Sequence, residues 1–269
     1  MTLADFSTRL EGWYVRKTVR FFSRRPLEIK NDRPIISFTF DDFPRSALQT
    51  GGAILKKYRA SGTYYAAFGL MAKNSPTGFI FTPEDLPELL KQGHELGCHT
   101  FAHCDSWRTD PKVFEQSIVD NRKALEQLVP GGVFQSFSYP ISVPNRSSKS
   151  RTSRHFICCR GGGQTFNAGM TDLNYLYAFF LEKSRDNPQV IRDLIDENRR
   201  QNGWLILATH DVCESPSPFG CSPEFFEGIV KYAADSGALI LPVIEAVRLL
   251  DPQRQFRLER GSVTAESPE

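Results

Sequence analysis

From Pro34 onward, short apolar runs of strand length alternate with stretches where apolar residues recur at helical spacing. Strand-like runs fall near residues 35–40, 63–68, 95–99, 134–139, 156–160, 175–181, 204–210 and 238–242. The helices between them carry start signals. Thr82-Pro83-Glu84-Asp85 offers a cap, a proline in the first turn and early acids, and Asp110-Pro111 and Ser222-Pro223-Glu224 repeat the device. Gly62, Gly97, Gly203 and Gly237 are expected where a helix ends before the next strand. About eight strands alternating with helices predict a parallel α/β sheet, closed or nearly closed into a barrel. No repeat or linker interrupts the alternation, so a single domain is expected over residues 34–250, before a polar tail at 251–269.

The first strand, Pro34 to Phe40, stops at two adjacent carboxylates, Asp41 and Asp42, with Pro44 following and a helix-like segment opening near Ser46. Neighbouring carboxylates resist ionising together unless a cationic group sits between them. A metal ion is one such group; a helix cap is the plainer reading of either Asp.

Ahead of the barrel-like part, residues 1–33 form a basic extension with eight Lys/Arg against four Asp/Glu, a net +4 in a chain whose total is +2. Within residues 1–25, Leu3, Phe6, Leu10, Trp13 and Tyr14 recur at helical spacing among arginines. That pattern suits an anionic membrane surface, or packing against the domain or a second subunit. The remaining residues show no basic stripe, so nucleic acid is not expected as a partner. No apolar run of about 18 residues marks a membrane span. No secretory h-region opens the chain, so the expected location is cytoplasmic, peripheral to the membrane if the basic helix docks there. The six cysteines lack metal-knuckle spacing and are expected as free thiols, Cys213 and Cys221 being able to pair only in an oxidising compartment. Nothing in the pattern fixes an oligomeric state.

In a barrel of this kind the site lies at the C-terminal ends of the strands. Four features fall there: Asp41 and Asp42 after the first strand, His99 and His103 (HTFAH) after the third, Tyr139-Pro140 (SFSYP) after the fourth, and His210-Asp211 (ATHD) after the seventh. Two histidines four residues apart can face one ion, and one carboxylate from the first strand completes a set that leaves positions open for water. Zinc, cobalt, nickel and iron(II) all suit such ligands.

TFDD, HTFAH, the FSYP strand end and the closing ATHD resemble the polysaccharide deacetylase family (NodB homology, carbohydrate esterase family 4) over roughly Pro34 to Leu250. The resemblance implies a distorted or incomplete (β/α) barrel of seven to eight parallel strands and a divalent metal, zinc first among the choices. The implied activity is removal of acetyl groups, N-acetyl above all, from an acetylated saccharide. It further implies that Asp42, His99 and His103 hold the metal, Asp41 is the general base and His210 the general acid, with the Tyr139 backbone N–H assisting at the oxyanion. A neighbouring carboxylate can take a proton from a metal-activated water, and an imidazole, the side chain that changes charge near neutral pH, can return one to nitrogen.

Three departures from the family pattern stand out. The arginine expected shortly before the third-motif proline is missing from Gln135-Ser136-Phe137-Ser138, and Arg160 is the candidate replacement. Ala208 stands where the family has Leu, so the acyl pocket is either wider or filled by another side chain. The acid that supports the closing His is not evident, with Asp172 the candidate and Asp211 the competitor. From Asn145 to Thr171 there are also five Lys/Arg (Arg146, Lys149, Arg151, Arg154, Arg160) and no acid. They suggest a negatively charged substrate, such as a lipid-linked or phosphorylated saccharide, against the alternative of a solvated loop. Other readings of the whole are an iron(II) oxygenase, an amidohydrolase of a non-sugar substrate, and a non-catalytic sugar-binding relative.

Overall fold

A computed structural model describes residues 19–141 and 143–252. Residues 1–18 of the expected amphipathic helix, and most of the tail, lie outside them. The chain enters along the barrel wall. Strand β1 (Pro26–Glu28) runs towards β2 (Ile35–Phe40), followed by a π-helical turn, Ala47–Gly52, and helix α1 (Ala53–Lys57). Next come β3 (Thr63–Ala66), a hairpin of β4 (Asn74–Ser75) and β5 (Gly78–Phe79), helix α2 (Asp85–Lys91), β6 (Glu95–Cys98) and helix α3 (Pro111–Leu128). The chain continues through β7 (Ser136–Ser138), α4 (Arg146–Thr152), β8 (Cys158–Arg160), β9 (Met170–Asp172) and β10 (Phe179–Phe180). It closes with α5 (Gln189–Arg200), β11 (Trp204–Thr209), α6 (Pro223–Asp235), β12 (Leu239–Ile240) and α7 (Val243–Leu250).

Seven strands pair in parallel in the order β10-β11-β2-β3-β6-β7-β8, and β12 pairs beside β2 at Ile35 and Ile36. The sheet curls into an incomplete barrel, as the alternation predicts. Its free edges are linked through residues 173–178: Cys159 N–H donates to Leu173 O, and Gly161 N–H to Leu176 O. The N-terminal segment lies against the same region. Strand β1 pairs antiparallel with β9, and the buried Lys149 ammonium donates to Val19 O and Phe22 O while pairing with Asp172.

The period-two rule sorts the side chains on each strand. On β2, Phe38 and Phe40 turn outward and meet Phe226 of α6, each with ring centroids 5.6 Å apart. Ser37 and Thr39 turn inward, where Ser37 Oγ accepts from Trp204 Nε1. Apolar side chains of the outer layer form one buried cluster. A second, inside the barrel floor, joins Ile35, Trp204 and Ile206 to Val243 and Val247 of α7. Helices α3 and α6 begin where expected, with Asp110 and Ser222 accepting from backbone N–H groups of the first turn.

Two expectations need correction. Gly97 ends no helix; it lies within β6 as the register partner of Tyr65, and a Cβ there would fall 2.4 Å from the Tyr65 ring. The helix stop is Gly93, with φ +75°. Helical spacing suggests an exposed place for His94, yet it is buried: its Nδ1 accepts from Gly62 N–H, so Nε2 carries the proton and donates to Gln92 Oε1.

Burial pulls the His94 imidazole down from 6.5 to about 4. As pH falls, the unfolded chain therefore takes up a proton before the folded one. The stability that depends on neutral His94 is complete above pH 6.5 and is lost progressively towards pH 4. Urea midpoints across that window should drop with acid, and His94→Gln should flatten the slope by on the order of 2–3 kcal/mol in total. An unchanged slope would show that His94 does not control it.

Candidate metal-dependent active site

At the C-terminal ends of the strands a cleft of about 580 Å³ is lined by Asp41, Asp42, His99, His103, Tyr139 and His210. Strand β2 delivers the two carboxylates to different places. Asp41 continues the strand, its N–H donating to Thr209 O, and points inward like Ser37 and Thr39. Asp42 takes φ +61° and Phe43 φ +57°, a left-handed step that turns the second carboxylate away from the first. Thr100 and His103 also have positive φ, 59° and 50°, and Ile141 at the cleft has 62°. Left-handed non-glycine residues cost energy and gather where the surroundings hold them for a purpose.

Asp42, His99 and His103 each offer one ligand atom, all within 4.8 Å of one another. Asp42 Oδ1 lies 3.1 Å from His103 Nε2 and 3.6 Å from His99 Nε2, yet it is buried and has no partner of hydrogen-bonding geometry. Its other oxygen accepts from Thr77 Oγ1 at 3.2 Å. His99 Nδ1 donates to Ser138 O at 2.8 Å, which leaves Nε2 as a lone pair facing the carboxylate. Burial presses the His99 imidazole down to about 4, against the pull of Asp41 and Asp42, so it stays neutral as a ligand must. Burial would raise the Asp42 carboxyl, but the two histidines, His103 foremost, hold it well below the carboxylate range. An orphaned carboxylate oxygen, two imidazoles and a fixed tautomer fit a divalent cation.

Asp41 has a different partner. Arg160, from β8, crosses the barrel interior and forms a buried ion pair with Asp41 Oδ1, while its Nη2 also donates to Ser138 Oγ at 2.6 Å. Ser138 Oγ in turn donates to Asp41 Oδ1. The guanidinium can cross because inward positions on the intervening strands are small: Gly97 on β6, Ser136 and Ser138 on β7. Burial works to raise the Asp41 carboxyl; Arg160, then His99 and His210, hold it below its ordinary range. Arg160 thus occupies the place beside Asp41 that the third-motif sequence leaves without an arginine.

Other expected residues fall elsewhere. Tyr139 N–H does not point into the cleft; it donates to Arg160 O at 3.0 Å, because Tyr139 extends the β7–β8 ladder. Its hydroxyl donates to Asn174 O, and Ile141 reaches the cleft two residues on. Asp172 does not support His210, since it is consumed by Lys149 and by the N–H groups of Arg25 and Asn174. Asp211 is likewise taken, by Ser217 N–H at 2.7 Å and the Ser217 hydroxyl, in building the loop after β11. His210 Nδ1 instead meets a backbone carbonyl, Phe219 O at 3.3 Å. Besides Asp41 and Asp42, Glu182 brings a carboxylate to the cleft that holds His210, and its Oε2 is buried without a hydrogen-bond partner. Burial raises its pKa, against the pull of a backbone hydrogen bond. Ala208 is fully buried, and its register partner Phe180 forms cleft wall beside it.

Three of the five cations of residues 145–171 are paired with acids of the protein, and Arg146 and Arg154 are exposed. Lys149 holds Asp172, Arg151 pairs with Glu115, Arg160 holds Asp41, and Arg146 lies over the Phe22 ring at 4.5 Å.

Residues 28–155 match the family model described as polysaccharide deacetylase. A peptidoglycan-N-acetylglucosamine deacetylase of Bacillus cereus is 29% identical over 103 residues, covering 38% of this chain and 45% of that protein. The match therefore spans less than half of the relative's length. The fold is similar to a carbohydrate esterase family 4 domain of a multidomain xylanase from the hindgut metagenome of Trinervitermes trinervoides, with TM-score 0.58 and 17% identity over 83% of this chain and 92% of that one. It is also similar to a family 4 acetyl xylan esterase from Clostridium thermocellum in complex with cobalt, with TM-score 0.56 and 19% identity over 80% and 91% of the two chains. The stretch similar to that family model, 128 of the chain's 269 residues, includes Asp41, Asp42, His99, His103 and Tyr139.

Zinc or cobalt(II) added to metal-free protein should bind one ion per chain by calorimetry. Asp42→Ala or His103→Ala should remove that binding, and Thr77→Val should weaken it by roughly 10–100-fold, the usual cost of losing a group that orients a ligand. Full affinity in Asp42→Ala would place the ion elsewhere.

Proposed function

We propose that the protein is a metal-dependent hydrolase that removes acetyl groups, N-acetyl first, from a carbohydrate. The observation that carries this reading is the division of labour between two adjacent acids. Asp42 turns to two histidines, while Asp41 is held ionised by Arg160 at the same cleft. A divalent cation, zinc in this proposal, held by Asp42, His99 and His103 would supply Lewis acidity to a water and to the acyl carbonyl.

The chain's own residues do the rest. Asp41, kept as a carboxylate by Arg160 and Ser138, accepts the proton of the attacking water as its oxygen bonds to the acyl carbon. His210, facing the cleft with Nδ1 anchored on Phe219 O, presents Nε2 to the leaving nitrogen and gives it a proton as the carbon–nitrogen bond breaks. The products are acetate and the free amine. Tyr139, Tyr175, Phe180 and Phe219 give the cleft aromatic faces suited to a sugar ring.

Acetate release from chitooligosaccharides, peptidoglycan fragments and acetylated xylan tests this, using metal-stripped protein reloaded with zinc or cobalt. Release should depend on the metal, and Asp41→Asn or His210→Ala should each lower kcat by roughly 10²–10⁴-fold. No release from any saccharide by protein carrying stoichiometric metal would overturn the sugar reading in favour of a non-sugar amide.

A further inference from the structure

Arg160 is almost completely buried, and beyond Asp41 and Ser138 it rests on aromatic rings. Its guanidinium carbon is 5.1 Å from the Tyr65 ring centroid and 5.4 Å from that of Phe180. A guanidinium over a ring face is attracted to it, and more strongly when water is excluded. Phe180 belongs to the cleft wall, but Tyr65 does not. It is fully buried on β3, behind the site, and touches the cleft only through its neighbours.

The packing around Tyr65 is built for its ring. Across the ladder its register partner is Gly97, where a Cβ would lie 2.4 Å from Tyr65 Cδ1 and 2.5 Å from Cε1. Any other residue at 97 would displace the ring. The Tyr65 hydroxyl is buried near Ser136 and the Arg160 guanidinium, and neither it nor Arg160 Nε has a partner of full hydrogen-bonding geometry.

We infer that Tyr65 is a positioning residue whose ring, seated over Gly97, fixes the Arg160 guanidinium against Asp41. The inference rests on the reading of Asp41 as the base. Arg160 comes from a strand at the sheet's edge and must span the interior to reach Asp41, so a flat wall along its path decides where the charge stops. The competing possibility is that Tyr65 acts through His99, whose ring centroid is 6.4 Å away.

The test compares Tyr65→Leu, Tyr65→Phe and Gly97→Ala by kcat, KM and metal affinity, with the Arg160 guanidinium followed by nitrogen-15 NMR. Tyr65→Leu and Gly97→Ala should each lower kcat by roughly 10²-fold, the scale of a misplaced catalytic group, with KM and metal affinity within about 2-fold of wild type. Tyr65→Phe should keep kcat within about 2-fold, because the ring face beside the guanidinium is retained. Gly97→Ala carries the test if Tyr65→Leu does not fold. Wild-type kcat in the leucine variant, or a loss carried by metal affinity, overturns the inference. If the wild-type protein itself releases no acetate, the functional reading fails and the NMR decides this one alone. Slow-exchanging Arg160 side-chain signals lost in Tyr65→Leu support the placement, and signals unchanged from wild type overturn it.

Discussion

Two carboxylates on consecutive residues cannot both stay ionised in a buried place unless each has a positive partner of its own. The rest of this site follows from that constraint. Asp41 keeps the inward direction of its strand and meets a guanidinium, and Asp42 leaves the strand through a left-handed step towards two imidazoles. The barrel provides what each needs. Curvature brings β8 within reach of β2 across a column of small residues, and the loop after β6 folds back so that His99 and His103 face the same point. Taking a full ion pair out of water is expensive, and breaking one by removing a single partner costs more than the pair gains. Arg160 is therefore tied to the fold as well as to the chemistry.

Much of this was legible in the order of residues. The alternation of strand and helix runs gives the barrel, because period two and period 3.6 are direct consequences of backbone geometry. The placement of TFDD, HTFAH and ATHD at strand ends brings the acids and histidines together, because parallel strands present all their C-terminal ends on one face. Arg160 could be nominated only as a substitute. Its distance along the chain from Asp41 says nothing about a side chain crossing the interior.

The misreadings have a common physical source. Asp172 and Asp211 looked like partners for His210 because any acid near a strand end does, whereas their actual bonds are to a lysine and to a turn that only the folded loops create. Lys149, Arg151 and Arg160 of the basic run after Asn145 looked available to an anion, but each is paired with an acid of the protein. Tyr139 lost its expected role to the sheet ladder, which claims backbone groups before any site can. Thr77 and Glu182 carried no signal at all, since a threonine in a hairpin and a glutamate before a lysine are ordinary until placed beside a cleft.

The left-handed residues around the mouth have a consequence for anyone reshaping this protein. Glycine would accept the conformation of Asp42, His103 or Ile141 without strain, so local comfort and local chemistry pull in opposite directions at each of them. A scoring scheme that rewards relaxed backbones would rewrite this rim first, and would produce a calmer barrel with a blunted edge. The tension in the rim is thus a map of where the chain has least freedom to be improved.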